Sequence, residues 1–149
     1  MSEYDLIAPC GMNCSLCVSY QFGKFDFNKK GFSKKYCPGC IPRGKNCTYM
    51  AHHCDLLGKG IIRFCTDCKD FPCRHLKYLD RRYSTKYKMS MIDNLHYISN
   101  NGIDKFLLKE EEKWKCNICN NLKCCHNGLC LFCEIDKLAN NKKYKRYDL

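Results

Sequence analysis

The sequence lacks the features of a secreted protein, a membrane protein or an enzyme with a recognisable motif. No run of about eighteen apolar residues occurs, which a membrane-spanning helix would need. The N-terminus shows no basic stretch followed by an apolar one, the pattern of a secretion signal. A nucleophile–base motif, a phosphate-binding glycine loop and a dinucleotide fingerprint are also missing, although catalysis by a metal or thiol needs none of these. We therefore expect a cytoplasmic protein, and no motif indicates an enzyme.

Cysteine is the residue type in excess, with 16 among 149 residues. At this density cysteines are either disulfide-bonded or bound to metal, and the reducing cytoplasm favours metal. We predict about two to three zinc ions held chiefly by thiolates, with an iron–sulfur cluster as the alternative. The metal would supply the folding free energy that loop-rich segments do not gain from apolar burial.

The distribution of cysteines divides the chain into four parts. Residues 1–75 form a cysteine-rich metal-binding module, 76–115 a helical connector without cysteine, 116–135 a second short module, and 136–149 a basic polar tail. Glycine and proline interrupt the first part, which predicts irregular loops. Apolar residues at helical spacing predict that the connector is helical and carries the apolar core. The expected fold is small, metal-stabilised and mainly α, with irregular cysteine-rich loops and a zinc-ribbon or knuckle-like C-terminal module.

Five Cys-x-x-Cys pairs are the strongest indication of metal. A tight turn between two cysteines lets both sulfurs reach one tetrahedral ion at about 2.3 Å. The pairs are Cys14/Cys17, Cys37/Cys40, Cys65/Cys68, Cys116/Cys119 and Cys130/Cys133. The last two pairs bracket ten residues, which predicts a short zinc ribbon.

The first module offers more candidate ligands than two four-cysteine sites require. They are Cys10, Cys14, Cys17, Cys37, Cys40, Cys47, Cys54, Cys65, Cys68 and Cys73. A sequential pairing and an interleaved pairing are both compatible with the sequence. Either would leave Cys10 and Cys73 as buried thiols, additional ligands or reactive groups.

Three further candidate ligands lie between the two C-terminal pairs: Cys124, Cys125 and His126. They could replace a ligand or belong to another site. For His126 we favour a solvent-exposed position in a turn, because Asn127 and Gly128 follow it.

The net charge of +11 suggests a polyanionic partner. Three zinc–tetrathiolate sites would remove about six of these charges and leave roughly +5. The basic residues concentrate in the first connector helix: Arg74, Lys77, Arg81, Arg82, Lys86 and Lys88. With interleaved tyrosines, they could contact a nucleic acid together with basic residues of the tail. The simpler interpretation is a solvated face whose tyrosines turn inward.

Several segments in order are similar to one protein family. APCGMNCSLC is followed by YCPGC and FCTDCKDFPCRHL, and later by WKCNIC and HNGLCLFC. This combination resembles the prokaryotic family called domain of unknown function 3795, over about residues 7–133. The resemblance implies a cysteine-rich zinc-binding protein without an established activity. It also implies knuckle positions at Cys116, Cys119, His126, Cys130 and Cys133, with the ligand set left open by the extra pair Cys124–Cys125.

The function expected from these features is a non-enzymatic zinc-binding module that contacts a nucleic acid or an acidic protein. An iron–sulfur or thiol-based redox protein is the alternative, with Cys10 or Cys73 as its reactive thiol. Metal storage or transfer is a second alternative.

Overall fold

The computed structural model describes residues 3–39, 54 and 62–141. The predicted ligands Cys40 and Cys47 lie outside these ranges, as does the tail from Lys142 onward. Among the described residues, no helix has the length and apolarity needed to cross a membrane.

The described part of the chain is mainly helical, as predicted. The α-helices are α1 (Val18–Lys24), α2 (Arg74–Lys86), α3 (Met91–Asn101), α4 (Ile103–Trp114) and α5 (Ile135–Ala139). Short 3₁₀ helices cover Glu3–Leu6, Cys14–Leu16, Phe27–Lys30 and Cys65–Asp67. Isolated β-bridges join Ile7 to Asn13 and Lys115 to Leu122.

The helix boundaries follow from local capping. The sulfur of Cys73 accepts a hydrogen bond from the backbone N–H of Leu76 at 3.4 Å, at the start of α2. The hydroxyl of Ser90 accepts the N–H of Asp93 at 3.1 Å and so caps α3. Gly102, with a φ of 89°, ends α3 and precedes α4. These caps divide the connector into three consecutive helices, and the middle one, α3, contacts both α2 and α4.

One apolar cluster joins the first module to the connector. It contains Leu16 from the N-terminal segment, Leu76 and Leu95 from α2 and α3, and Cys125 from the C-terminal module. Gly11 makes the closest approach to α3: a Cβ added there would lie 2.6 Å from the carbonyl oxygen of Met91. Only glycine fits at this contact, and its positive φ of 93° also favours glycine.

A second apolar cluster lies outside the connector, although the sequence had predicted the apolar core within the connector. The rings of Phe22, Phe27 and Phe32 contact one another with centroids 5.1 to 5.6 Å apart. Leu131 and Leu138 of the C-terminal part are completely buried against them. The expectation that the connector carries the apolar core was therefore wrong. The three phenylalanines recur every five residues, which is not the period of an α-helix, so helical periodicity did not reveal them.

Candidate metal centre

Four cysteines of the C-terminal module come together in one cluster. The sulfurs of Cys116, Cys119, Cys130 and Cys133 all lie within 4.8 Å of one another. Those of Cys119 and Cys130 are 3.4 Å apart. Cys116 and Cys130 are buried, whereas Cys119 and Cys133 are partly exposed. We call these four residues the four-sulfur cluster.

The first cysteine pair of the cluster is fixed by a tight turn between α4 and the C-terminal module. The N–H of Cys116 donates to the carbonyl of Asn121 at 2.8 Å, and the N–H of Asn120 donates to the carbonyl of Cys116 at 3.0 Å. Asn120 takes the positive φ of 65° that closes the turn. Inside it, the sulfur of Cys116 accepts backbone N–H groups of Ile118 and Cys119.

The second pair repeats this arrangement. The N–H of Glu134 donates to the carbonyl of Cys130 at 2.8 Å, and the Glu134 carboxylate accepts the N–H of Cys130 at 3.1 Å. The sulfur of Cys130 accepts the N–H groups of Cys133 and Phe132. In each pair, therefore, backbone N–H groups point at the first sulfur, an arrangement that stabilises a thiolate.

Hydrogen bonds within the cluster shift the pKa values of its thiols in opposite directions. The N–H of Asn121, together with the thiols of Cys133 and Cys130, lowers the pKa of Cys119 to about 6. The hydrogen bond that Cys133 makes to Cys119 raises the pKa of Cys133 to about 12. Thiolates this close repel one another strongly, so protons or a cation must neutralise most of them.

The donor set fits a single thiophilic ion. Four sulfurs around a tetrahedral ion at about 2.3 Å are about 3.8 Å apart, which follows from the geometry of a tetrahedron. The four sulfurs all lie within 4.8 Å of one another, so only small movements would bring them to the tetrahedral separation of about 3.8 Å. The cluster could therefore hold a metal ion.

Among the described residues, the first module forms no comparable group of three or more ligands. Cys10, Cys14 and Cys65 are buried, and Cys17, Cys37, Cys54, Cys68 and Cys73 are partly exposed. Burial raises the pKa of Cys17, and the nearby Cys14 and Cys37 raise it further. These three predicted ligands therefore lie near one another, while Cys40 and Cys47 are outside the described residues. The assignment of the ten cysteines to metal sites stays a prediction.

His126 does not occupy the exposed turn that we expected for it. Its ring is half-buried, with Nδ1 accepting the backbone N–H of Val18 and Nε2 within 3.2 Å of the Tyr83 hydroxyl. The ring of Tyr87 meets it edge-on at 4.8 Å. Val18 is the first residue of α1, whose N-cap residue makes no capping bond with its own side chain. His126 thus caps α1 from a distant part of the chain, and a metal ion would have to displace one of its two hydrogen bonds.

Cys124 and Cys125, the other candidates between the two pairs, are buried outside the four-sulfur cluster. Cys124 lies in the second apolar cluster, which contains Phe22, Phe27 and Phe32 and which we call the aromatic cluster. Cys125 lies in the cluster that joins the first module to the connector. Burial raises the pKa of Cys125, with additional contributions from Cys124 and Cys17. A neutral thiol is thus favoured at Cys125.

The basic connector helix presents all six of its predicted contact residues to solvent. Arg74, Lys77, Arg81, Arg82, Lys86 and Lys88 are exposed. Within the part of the chain that the structure describes, none of them forms an ion pair. The carboxylate of Asp80 instead accepts the Ser90 hydroxyl at 2.7 Å and the Ile92 N–H at 3.0 Å. Tyr83 and Tyr87 turn inward to His126, but Tyr78 is 58% exposed among the basic residues.

The chain was compared with known protein families, curated proteins and solved structures. The family model described as protein of unknown function (DUF3795) matches residues 6–78 of the chain. No curated protein and no solved structure matches. The match confirms the resemblance seen in the sequence, and it covers the first module and the beginning of α2.

Proposed function

Because residues 6–78 support membership of the DUF3795 family, whose function is unknown, we propose a function from the geometry of the chain itself. The four-sulfur cluster binds one zinc ion as a knuckle-like structural centre. The chain is a non-enzymatic binding module whose basic helix α2 contacts a nucleic acid. The observation that carries the metal assignment is the convergence of Cys116, Cys119, Cys130 and Cys133 within 4.8 Å.

The donor set favours a structural ion over a catalytic one. A catalytic zinc site has three protein ligands and keeps a fourth position for water or substrate. Here four sulfurs complete the tetrahedron, so no position is left for a reactant. Backbone N–H groups lower the pKa of Cys116, whereas at Cys130 burial outweighs them and raises the pKa. A bound cation would therefore be needed to keep Cys130 ionised.

The spacing also favours one ion over an iron–sulfur cluster. A cluster places several iron and sulfide atoms between its cysteines, so its thiolates must stand farther apart than those around one ion. The 3.4 Å between the sulfurs of Cys119 and Cys130 leaves no room for such atoms between these two. Zinc is the first choice because it is tetrahedral and accepts four thiolates.

Elemental analysis of anaerobically purified protein tests the metal assignment. We expect at least one zinc ion per chain and neither iron nor labile sulfide in stoichiometric amount. Iron with labile sulfide, together with strong visible absorbance, would replace the zinc proposal by the iron–sulfur alternative. A total of two or three zinc ions would support further sites among the cysteines of the first module.

The nucleic-acid proposal rests on the surface of α2. Six unpaired cations along 13 helical residues and the adjoining turn can each meet a phosphate, because no carboxylate of the described residues neutralises them. Tyr78 projects from the same helix and can stack on an exposed base, which an acidic protein partner would not require. These two features together favour nucleic acid over an acidic protein.

The salt dependence of binding to short single-stranded and double-stranded oligonucleotides tests this surface. The double variant Lys77→Gln/Arg81→Gln removes two exposed cations and should lower the log–log salt slope by about two for either ligand. The charge-matched control Lys105→Gln/Lys109→Gln changes α4 instead and should leave the slope as in wild type. A flat titration at low salt would exclude nucleic acid and leave an acidic protein as the partner to test.

A further inference from the structure

A cleft of about 590 Å³ lies between α4 and the N-terminal part of the chain, and none of the four cluster cysteines lines it. This volume is within the usual range for small-molecule sites, about 300–1,000 Å³. Leu107 of α4 faces the cleft, as do Phe25, just after α1, and Leu122. The walls therefore combine apolar side chains with a larger number of polar and charged ones.

Gln21 of α1 lines this cleft and has a buried hydrogen-bond acceptor without a donor. Its side-chain Nε2 donates to the carbonyls of Ser15 at 2.9 Å and Lys123 at 3.2 Å, with that of Leu122 at 3.4 Å. Because acceptors surround this atom, it must be the amide nitrogen, and the orientation of the side chain is fixed. Gln21 is only 2% exposed, and its Oε1 is buried without a hydrogen-bond partner among the described residues. Such an atom is costly to leave unpaired, which indicates that something else donates to it.

Glu110 of α4 brings a second buried acceptor to the same cleft. The residue is 4% exposed, and its Oε2 accepts the indole N–H of Trp114 at 3.0 Å. No described cation forms an ion pair with it. Burial raises its pKa, although Lys113 and Lys109 of the same helix act in the opposite direction. A carboxylate in this position gains most from a cation that enters the cleft with it.

We propose that this cleft binds a small organic cation with a primary ammonium group. The ammonium donates to Oε1 of Gln21 and to the Glu110 carboxylate, and the hydrocarbon part contacts Phe25, Leu107 and Leu122. An ammonium group has three donors and no acceptor, which matches an amide oxygen without a donor and a carboxylate that accepts one neutral N–H but has no cation partner among the described residues. This site is separate in chemistry from the four-sulfur cluster and does not depend on the proposed function.

The other ligand classes fit these walls less well. An anion would meet Asp104 and Glu111 of α4 in addition to Glu110, with Lys24 as the one lysine or arginine in the lining. A hard metal ion such as Mg²⁺ or Ca²⁺ would need about six oxygen ligands, whereas the described carboxylates of the lining do not converge into a group of three that could hold an ion. A neutral apolar molecule would leave Oε1 of Gln21 without a donor and the Glu110 carboxylate without a cation.

Titration of the ¹⁵N-labelled, zinc-loaded full chain with 2-phenylethylammonium tests the proposal, with 2-phenylethanol as the neutral isostere. We expect the ammonium to shift the Gln21 side-chain amide and the Trp114 indole N–H, and to bind about tenfold or more tightly than the alcohol. Butylammonium and cadaverine serve as further probes. Equal binding of the ammonium and the alcohol, or no shift at these groups with any of the three amines, would overturn the proposal.

Three variants separate charge recognition from a general effect on the fold. Glu110→Gln keeps the acceptor for Trp114 but removes the charge, and should weaken 2-phenylethylammonium about tenfold without affecting the alcohol. Glu112→Gln changes an exposed residue of the same helix outside the cleft, and should bind as wild type does. Leu107→Trp fills the cleft and should abolish binding of both probes. If Glu110→Gln binds the ammonium as wild type does, or Leu107→Trp retains binding, the cleft is not the site.

Discussion

Replacement of one cluster cysteine is the sharpest perturbation of the proposed zinc centre. Cys119→Ala removes the thiol whose pKa is lowered to about 6, and leaves Cys116, Cys130 and Cys133 in place. Structural zinc binding supplies about 10–16 kcal/mol, so an equal share for each of four ligands is about 2.5–4 kcal/mol. At about 1.4 kcal/mol per factor of ten, the variant should bind zinc roughly 10² to 10³ times more weakly.

Cys124→Ala is the matched control, because it also removes one thiol from the same module. Cys124 is completely buried in the aromatic cluster and is not one of the four convergent cysteines. We expect it to lower the free energy of unfolding slightly while zinc affinity stays as in wild type. Competition with a chromophoric chelator measures the affinity, and elemental analysis measures the stoichiometry. Wild-type affinity and zinc content in Cys119→Ala, or equal losses in the two variants, would refute the four-sulfur assignment.

Three further predictions concern stability. His126→Ala should lower the free energy of unfolding by about 1–3 kcal/mol, because α1 loses its cap and Tyr83 loses its hydrogen-bond partner. Urea denaturation measures this, and an unchanged midpoint of urea unfolding would contradict the capping role. Gly11→Ala should lower the melting temperature of the protein clearly more than Gly128→Ala does. Both glycines have positive φ, but only at Gly11 does the added Cβ lie 2.6 Å from a backbone oxygen. Equal losses in melting temperature would exclude that contact as the cause. Glu110→Gln should be more stable than wild type at neutral pH, because the raised pKa means that the folded chain loses stability as pH rises above the ordinary value of 4.5. The difference should vanish below that pH, and a constant difference across the range would contradict the assigned pKa shift.

The pairs of the four-sulfur cluster and the helices could be predicted because each is set by short-range contacts. A Cys-x-x-Cys spacing closes a turn by itself, so Cys116/Cys119 and Cys130/Cys133 each bring two sulfurs to one side of a turn. Leu76 and Leu79 recur at helical spacing and are buried on one face of α2. The family resemblance was also present in the sequence, in the order and spacing of its cysteines.

The position of His126 was set by contacts that no local pattern contains. Its neighbours Asn127 and Gly128 indicate a turn, and from that turn we inferred exposure to solvent. Its partner, the backbone N–H of Val18, is 108 residues away. Such a pairing depends on how the C-terminal module lies against α1, which spacing alone cannot show.

The sequence by itself determined that this is a helical, cysteine-rich chain with paired thiols, because turns and helices are built from neighbours along the chain. Tertiary structure decided which polar groups lost their contact with water. Gln21 and Glu110 look like ordinary helix-surface residues in the sequence, yet they are 2% and 4% exposed. Their burial follows from long-range packing, as the hydrogen bonds from Gln21 to carbonyls about a hundred residues away show. Removal from water leaves Oε1 of Gln21 without a donor, and leaves the Glu110 carboxylate with the Trp114 indole N–H but without a cation. A buried polar group must find its partner in the protein or in a ligand.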